Sequence, residues 1–249
     1  MISSKRLLSV VLLAAVLTFS VCGFAEEEQG PPMLSIIDVY VKNGHDAQFR
    51  EGVAAWKDCY LEHEGESAWN VWRRMNGKGT VYAVVFAVAN WAELDERDEA
   101  GTSCQNVVQD QIVPHTITVD SSYARLIPEL SPEGPLLDVA VVTYFRVNDG
   151  RLFRQTVDAV NAAIVEEEGQ ARGYWYNVFG GGPKSPSMFV VGLQENFAQL
   201  DVSRDSPFAL AAKALGEEAA EELWVDFRKS VDSVWQYLYR RNDDLSHNP

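Results

Sequence analysis

The sequence has few residues of the types that build metal and nucleophile sites. It contains three cysteines and four histidines among 249 residues. Their spacing matches no zinc-site pattern, and no serine lies in the strand-turn-helix context of a nucleophile elbow. The sequence therefore predicts neither a metal site nor a cofactor, and it leaves any catalytic residue unknown.

Basic residues are also scarce. Lysine and arginine number 21 against 36 aspartates and glutamates, which gives a formal net charge of −15. Such a field repels phosphate backbones and anionic lipid surfaces. We expect no nucleic-acid partner, and the simplest role of the acidic surface is to keep the protein soluble.

Long hydrophobic runs are absent except at the N-terminus. There, two basic residues precede an apolar stretch over residues 7–21, and Ala25 ends a small-residue cleavage site. This pattern predicts a signal peptide over residues 1–25, a periplasmic or secreted protein, and no stable membrane span after cleavage. Lipidation of Cys22 is the less favoured alternative, because Val21 stands where a lipoprotein signal has a small residue.

The rest of the chain contains two copies of one unit. Four sequence blocks recur in the same order, so chance is a poor explanation. The matching blocks are 49–55 with 153–159, 62–65 with 166–169, 90–95 with 196–201 and 119–121 with 231–233. A Pro- and Gly-rich join at 131–135 separates them, which predicts repeats over residues 26–131 and 132–249.

Each copy has the pattern strand, helix, strand, strand, helix, strand. The first helix of each copy shows apolar residues at helical spacing, and we expect Gly65 and Gly169 to end these helices in the left-handed conformation. The second helices are predicted over Gln105–Thr118 and Phe208–Val231. This order is the ferredoxin-like plan of an α+β protein.

One strand of the first copy indicates how the two copies pack together. Residues 81–88 are apolar at both parities, so both faces of that strand should be buried, whereas two helices cover only one face of a four-stranded sheet. The second copy is the nearest cover, with sheets face to face and helices outside. The chain thus resembles the dimeric α/β barrel superfamily, with both halves fused into tandem ferredoxin-like repeats that form an intramolecular barrel.

That resemblance implies several functions and selects none. Similar proteins include cofactor-free monooxygenases, haem enzymes similar to chlorite dismutase, and small binding proteins. Haem binding would imply an axial histidine on the helices of the second half, but the histidine of that copy is His247, in the C-terminal tail. We therefore expect no haem.

Aromatic residues on the second strand of each copy are the leading ligand-binding candidates. Alternation places Asn70, Trp72 and Arg74 on one face, and it places Tyr174 and Tyr176 on the matching face. Large aromatic rings with a few polar tips suit a small apolar or aromatic ligand. The competing interpretation is that the tryptophans and tyrosines of these strands only fill the core.

Two further predictions concern the first helix. His63 in its last turn is a candidate for a cavity between helix and sheet, although the helix dipole alone favours a histidine there. Cys59 and Cys104 remain after signal removal, and an oxidising compartment permits a disulfide between them.

Taken together, these features predict an exported protein that binds a small molecule. The first alternative is a cofactor-independent, monooxygenase-like enzyme that acts on a small aromatic or polyketide-like substrate through His63, or through Asn70 with Trp72. The second is a protein interaction module. We expect a monomer with an internal pseudo-dimer, and a higher oligomer stays open.

Overall fold

The structure is a computed structural model that describes residues 31–249. The predictions of a signal peptide over residues 1–25 and of lipidation at Cys22 lie outside the described residues. The strands are β1 (Met33–Val41), β2 (Trp69–Arg74), β3 (Thr80–Val88), β4 (Thr116–Leu126), β5 (Val139–Val147), β6 (Tyr174–Gly180), β7 (Met188–Gln194) and β8 (Val231–Arg241). The helices are α1 (Asp46–Glu62), α2 (Glu99–Ser103), α3 (Gln105–Val107), α4 (Gly150–Glu168), α5 (Pro207–Leu215) and α6 (Glu217–Ser230). None of the helices within 31–249 is long and apolar enough to cross a bilayer.

The eight strands form one closed antiparallel barrel in the order β1-β3-β2-β8-β5-β7-β6-β4. Each repeat supplies four adjacent strands, and the repeats meet at two seams, where β2 pairs with β8 and β4 pairs with β6. The predicted fold class, α+β with tandem ferredoxin-like repeats in an intramolecular barrel, is confirmed. The sheets join edge to edge rather than as two separate layers, because closure gives hydrogen-bond partners to strand edges that separate sheets would expose.

The helices lie outside the barrel and bury the outer faces of the strands. In the first repeat, Phe49 of α1 packs on Tyr82 of β3 with ring centroids 5.0 Å apart. In the second, Phe153 of α4 packs on Phe145 of β5 at 5.2 Å. Phe49, Tyr82 and Phe153 are each at most 1% exposed. Each repeat thus has its own hydrophobic core between helix and sheet.

Strand β3 is buried on both faces, as its apolar run predicts. Tyr82, Val84 and Phe86 belong to the core beneath α1. Ala83 and Val85 point the other way, into the barrel, where they line a cavity. The inner face therefore borders a cavity, and Ala83 also packs in a core inside the barrel that includes Phe189 of the second repeat.

The ends of the two long helices differ. Gly169 ends α4 with φ 82°, in the left-handed conformation that was predicted. The matching prediction for Gly65 is wrong, because Glu64 adopts the positive φ of 57° at the end of α1. Gly65 is required for a different reason: a Cβ there would lie 2.1 Å from the ring of Tyr60.

The second helical segment of each repeat is broken, contrary to both predictions. In the first repeat α2 and α3 lead into a π-helical turn over Val108–Ile112, and the helical region ends at His115, where β4 begins. In the second repeat Gly216, with φ 93°, separates α5 from α6. A glycine in this conformation interrupts the helical hydrogen bonds that periodicity alone would extend.

A disulfide bond joins Cys59 of α1 to Cys104, at the end of α2. Cys104 is fully buried, and 45 positions separate the two cysteines in sequence. The bond fastens the short, broken helices of the first repeat to its long helix. In the second repeat, the position matching Cys59 is Ala163, which is buried against Ala211 and Ala220 of α5 and α6.

Candidate functional site

The barrel encloses a cavity of about 1160 Å³. Five of the six predicted ligand-binding residues lie on its wall. They are Asn70, Trp72, Arg74, Tyr174 and Tyr176. Their position follows from strand alternation, since every second residue of β2 and β6 points into the barrel. A volume of this size suits a ligand of several rings.

The sixth candidate, His63, is not on the cavity wall. It follows the last turn of α1, on the outside of the barrel, where its Nδ1 lies 2.9 Å from the carbonyl oxygen of Cys59. The same nitrogen is 3.8 Å from the sulfur atoms of Cys59 and Cys104. The prediction that His63 could reach a ligand cavity needs correction, because the cavity forms inside the barrel and α1 packs outside it.

The competing core-packing interpretation holds for other tryptophans. Trp69 is 1% exposed and packs beneath α1, where its indole N–H donates to the carbonyl oxygen of Leu245 at 2.8 Å. Trp175 stacks on Phe145 at 5.5 Å beneath α4. These rings point outward from their strands, whereas Trp72 and Tyr176, of opposite parity, face the cavity.

The two repeats contribute unequally to the cavity wall. The strand registers show which residues of the two repeats are equivalent. The pair Met33–Val88 of the first repeat corresponds to Val139–Gln194 of the second. In the same way, the pair Val41–Thr116 corresponds to Val147–Val231. The resulting equivalents are Asp38 with Tyr144, Ala83 with Phe189, Asp120 with Trp235, Ser122 with Tyr237, and Ala124 with Tyr239. The first repeat has small or acidic residues where the second has aromatic rings. At these positions the side chains of the first repeat therefore take up less of the barrel interior than those of the second.

The aromatic side is a continuous set of stacked rings. Tyr176 stacks on Phe189 with centroids 4.9 Å apart and planes at 16°. Tyr144 stacks on Trp235 at 5.5 Å and 11°. Burial raises the pKa of Tyr176 to about 12, so its hydroxyl stays protonated and can donate a hydrogen bond. This surface offers flat apolar contact with hydroxyl groups at its edge.

The cavity wall also carries a polar cluster, which we define as Asp38, Arg74, Tyr144 and Tyr239, so that Tyr144 belongs to both sets. The hydroxyl groups of Tyr144 and Tyr239 lie 3.0 Å apart, so one donates to the other. The guanidinium of Arg74 lies over the ring of Tyr237 at 4.5 Å, and its Nε is buried without a hydrogen-bond partner among the described residues. The free hydroxyl proton of the tyrosine pair, and the guanidinium of Arg74 where it lines the cavity, are donors available to a ligand oxygen.

Asp38 is the acidic member of the polar cluster. Burial raises its pKa from 3.8 to about 6; Arg74 opposes this effect, and the charge of Asp120 on the neighbouring strand adds to it. Burial also raises the pKa of Tyr144 and Tyr239 well above the usual value, and the charge of Asp38 contributes to both. A carboxyl group with a pKa near neutrality inside a cavity is typical of binding or proton-transfer sites.

Sequence reasoning missed Asp38, Tyr144 and Tyr239. A signal was present for Asp38, because it is the one charged residue in the otherwise apolar strand β1 and shares parity with Leu34 and Ile36. Tyr144 and Tyr239 occupy inward positions of β5 and β8, but their proximity depends on the pairing of those two strands. Alternation alone shows which face a residue occupies, not which residues meet across the barrel.

One group of three potential metal-ligating side chains comes together within residues 31–249. Cys59, His63 and Cys104 have ligand atoms within 4.8 Å of one another. Both sulfur atoms belong to the disulfide, so neither is a free thiolate for a metal. The ring of His247 packs 5.1 Å from that of Trp69, and the residues that line the cavity include no histidine.

Solved structures with the same architecture cover most of the chain. A candidate monooxygenase from Lactobacillus acidophilus NCFM is 12% identical, with a TM-score of 0.51 over 85% of this chain and 94% of its own. An anthrone oxidase-like protein is 11% identical, with a TM-score of 0.52 over 87% and 92%. A mutant chlorite dismutase from Candidatus Nitrospira defluvii is 8% identical, with a TM-score of 0.50 over 86% and 92%.

These likenesses support the barrel fold. At such low identity they show the fold alone. No protein-family model matches the chain, and a search of curated proteins found no match.

Proposed function

We propose that the barrel interior binds a small, largely aromatic molecule that carries at least one oxygen atom. The observation that supports this proposal is the cavity itself, whose wall carries both stacked rings and the polar cluster. The rings provide flat apolar contact, while Arg74 and the tyrosine hydroxyls provide donors for the oxygen.

A fluorescence titration tests the proposal. N-phenylnaphthylamine, a neutral aromatic probe, should bind with increased emission, and small phenolic or polycyclic ketones should displace it. Ala83→Phe should abolish binding, because it introduces the ring that its equivalent, Phe189, already has in the second repeat. Ile117→Tyr is the matched control, since Ile117 is 65% exposed and not on the cavity wall. Unchanged probe affinity in Ala83→Phe would contradict binding inside the barrel.

A second candidate function is cofactor-independent oxygenase chemistry in the same cavity. Asp38 favours it, because a carboxylate with a pKa of about 6 can accept a proton from a phenol or enol near neutral pH. Arg74 and the tyrosine hydroxyls would stabilise the resulting anion, and molecular oxygen would be the oxidant. The names of two structural neighbours, a candidate monooxygenase and an anthrone oxidase-like protein, agree with this class.

Oxygen uptake distinguishes the two candidates. If the enzyme reading is right, anthrones or similar phenolic ketones should cause protein-dependent oxygen consumption that rises as the pH passes through about 6, where Asp38 loses its proton. Asp38→Asn should abolish this uptake and retain probe binding. Binding of such compounds without oxygen consumption would leave the binding function alone.

We also propose that the protein acts outside the cytoplasm. The N-terminal sequence pattern supports export, and the Cys59–Cys104 disulfide agrees with an oxidising compartment. Fractionation of cells that express the full chain tests this, with N-terminal sequencing of the exported form. A cytoplasmic protein that keeps its first 25 residues would contradict the proposal.

A further inference from the structure

The two seams that close the barrel differ, although the repeats share one plan. At the seam between β2 and β8, pairing continues beyond Arg74. The Met75 N–H donates to the carbonyl oxygen of Leu238 at 2.8 Å, and the Leu238 N–H donates to Oδ1 of Asn76 at 2.8 Å. Arg74 also covers the ring of Tyr237. Hydrogen bonds and a cation–π contact therefore close this seam.

The equivalent seam between β4 and β6 is closed over Tyr123–Leu126, where four residue pairs form and Arg125 lies over the ring of Phe179 at 5.2 Å. It differs beyond Tyr123, at the positions equivalent to Arg74, Asn76 and Tyr237. Val178 is equivalent to Arg74, and Ser122 is equivalent to Tyr237. Gly180 is equivalent to Asn76: it pairs with Tyr123, whereas Asn76 contacts Leu238. Small side chains thus stand where the other seam has an arginine, an asparagine and a tyrosine. Beyond the paired region, residues 116–122 of β4 face the loop that joins β6 to β7.

That loop, residues 181–187, is fixed on one side. The carbonyl oxygen of Lys184 accepts from Arg146 at 2.7 Å, and the Ser187 N–H donates to the carbonyl oxygen of Phe145 at 2.8 Å, so β5 holds the end of the loop next to β7. On the other side, Gly181 approaches Ser122, where a Cβ on the glycine would lie 3.4 Å from that of the serine. The residues that line the cavity include both edges of this seam, Ser121 and Ser122 on β4 and residues 180–186 on the loop.

We propose that the ligand enters the barrel sideways through the seam between residues 116–122 of β4 and the β6–β7 loop, and that Ser122 and Gly180 keep this entrance open. The inference rests on the proposed function for the identity of what enters. The route itself is a property of the barrel wall, so it can be measured without any ligand.

The test places a thiol inside the barrel and measures how fast reagents reach it. In a Cys22→Ser background, Ala83→Cys puts the one free thiol on the cavity wall, because Cys59 and Cys104 are occupied by their disulfide. Pyrene maleimide is the bulky reagent and N-ethylmaleimide the small one. Ser122→Tyr with Gly180→Asn, added to the Ala83→Cys protein, reproduces two residues of the closed seam. Val234→Tyr in the same background is the control, because Val234 is an exposed residue of β8 that lies outside both the cavity wall and the proposed entrance.

The closed-seam variant should react with pyrene maleimide at least about tenfold more slowly than the Ala83→Cys protein, which corresponds to about 1.4 kcal/mol of added barrier. N-ethylmaleimide should be slowed less, and the Val234→Tyr control should react at the original rate. All the proteins should react equally when unfolded in urea. Near-UV circular dichroism checks folding, and Ser122→Leu serves as a milder block if the double variant does not fold.

Equal rates for pyrene maleimide in the open and closed proteins would overturn the proposed entrance. Failure of the proposed function gives a different result. In that case the thiol still reacts more slowly in the closed-seam variant, but N-phenylnaphthylamine does not bind the wild-type protein.

Discussion

Asp38→Asn provides a quantitative test of the polar cluster through stability. In the folded protein the pKa of Asp38 is about 6, against an ordinary value of 3.8. Below 3.8 the carboxyl is neutral in both the folded and the unfolded chain, and its burial carries no charge penalty. Between these values the unfolded chain loses its proton first, so the stability of the folded protein falls as the pH rises. Above about pH 6 the carboxylate is charged in both states, and the full free-energy penalty of burying its charge lowers the stability.

The penalty is worth ~2–3 kcal/mol, because each pH unit of difference corresponds to 1.36 kcal/mol and water at the cavity mouth screens part of the effect. The amide of asparagine carries no charge, so Asp38→Asn should be more stable than the wild type by this amount well above pH 6 and equal to it below pH 3.8. Urea unfolding across this pH range measures the difference. Asp120→Asn is the control, because it removes the neighbouring charge that raises the pKa of Asp38 and should give a smaller change of the same sign. A difference between Asp38→Asn and wild type that does not vary with pH would refute the reasoning.

Three other changes test the fold and the cavity wall. Trp69→Ala should lower the free energy of unfolding in urea by ~3–5 kcal/mol, because it leaves a void beneath α1. Trp72→Ala, at the cavity wall, should lower it less and should weaken probe binding. Equal losses of stability would contradict the placement of the two rings on opposite faces of β2. Cys104→Ser should cost ~2–5 kcal/mol by removing the disulfide. Thiol titration of the unfolded, unreduced Cys22→Ser protein should detect no free thiol, whereas two free thiols would rule the bond out. Gly169→Ala should cost ~1 kcal/mol, because alanine is strained at φ 82°, and a neutral effect on the melting temperature would count against the left-handed helix end.

The sequence was sufficient to predict the architecture, because its signals are local. Alternation, helical spacing and the duplication identify the strands, the long helices and the inward parity of Trp72 and Tyr176. The breaks in the second helices were missed, since Gly216 lies inside an otherwise helical pattern and the π turn near Gln111 packs against Gly52, where a Cβ would lie 2.3 Å from the Gln111 carbonyl oxygen. Both breaks depend on conformation or on contacts between segments, which periodicity does not report.

The cavity was harder to predict for a different reason. Whether a barrel interior is filled or hollow depends on the summed sizes of the side chains that face one another across it. Which side chains face one another is known only once the pairing of all eight strands is known. Ala83 is unremarkable in sequence, yet it lines the cavity at the position where the other repeat has Phe189. His63 was misplaced because a helix that covers a barrel lies on the opposite side of the sheet from the interior.

A crystal structure of the protein soaked with N-phenylnaphthylamine tests the central claim most directly. We expect electron density for the probe inside the barrel. It should lie between the polar cluster around Arg74 and the stacked ring pair of Tyr176 with Phe189. A barrel interior filled by its own side chains, with the probe bound only on the outer surface, would contradict it.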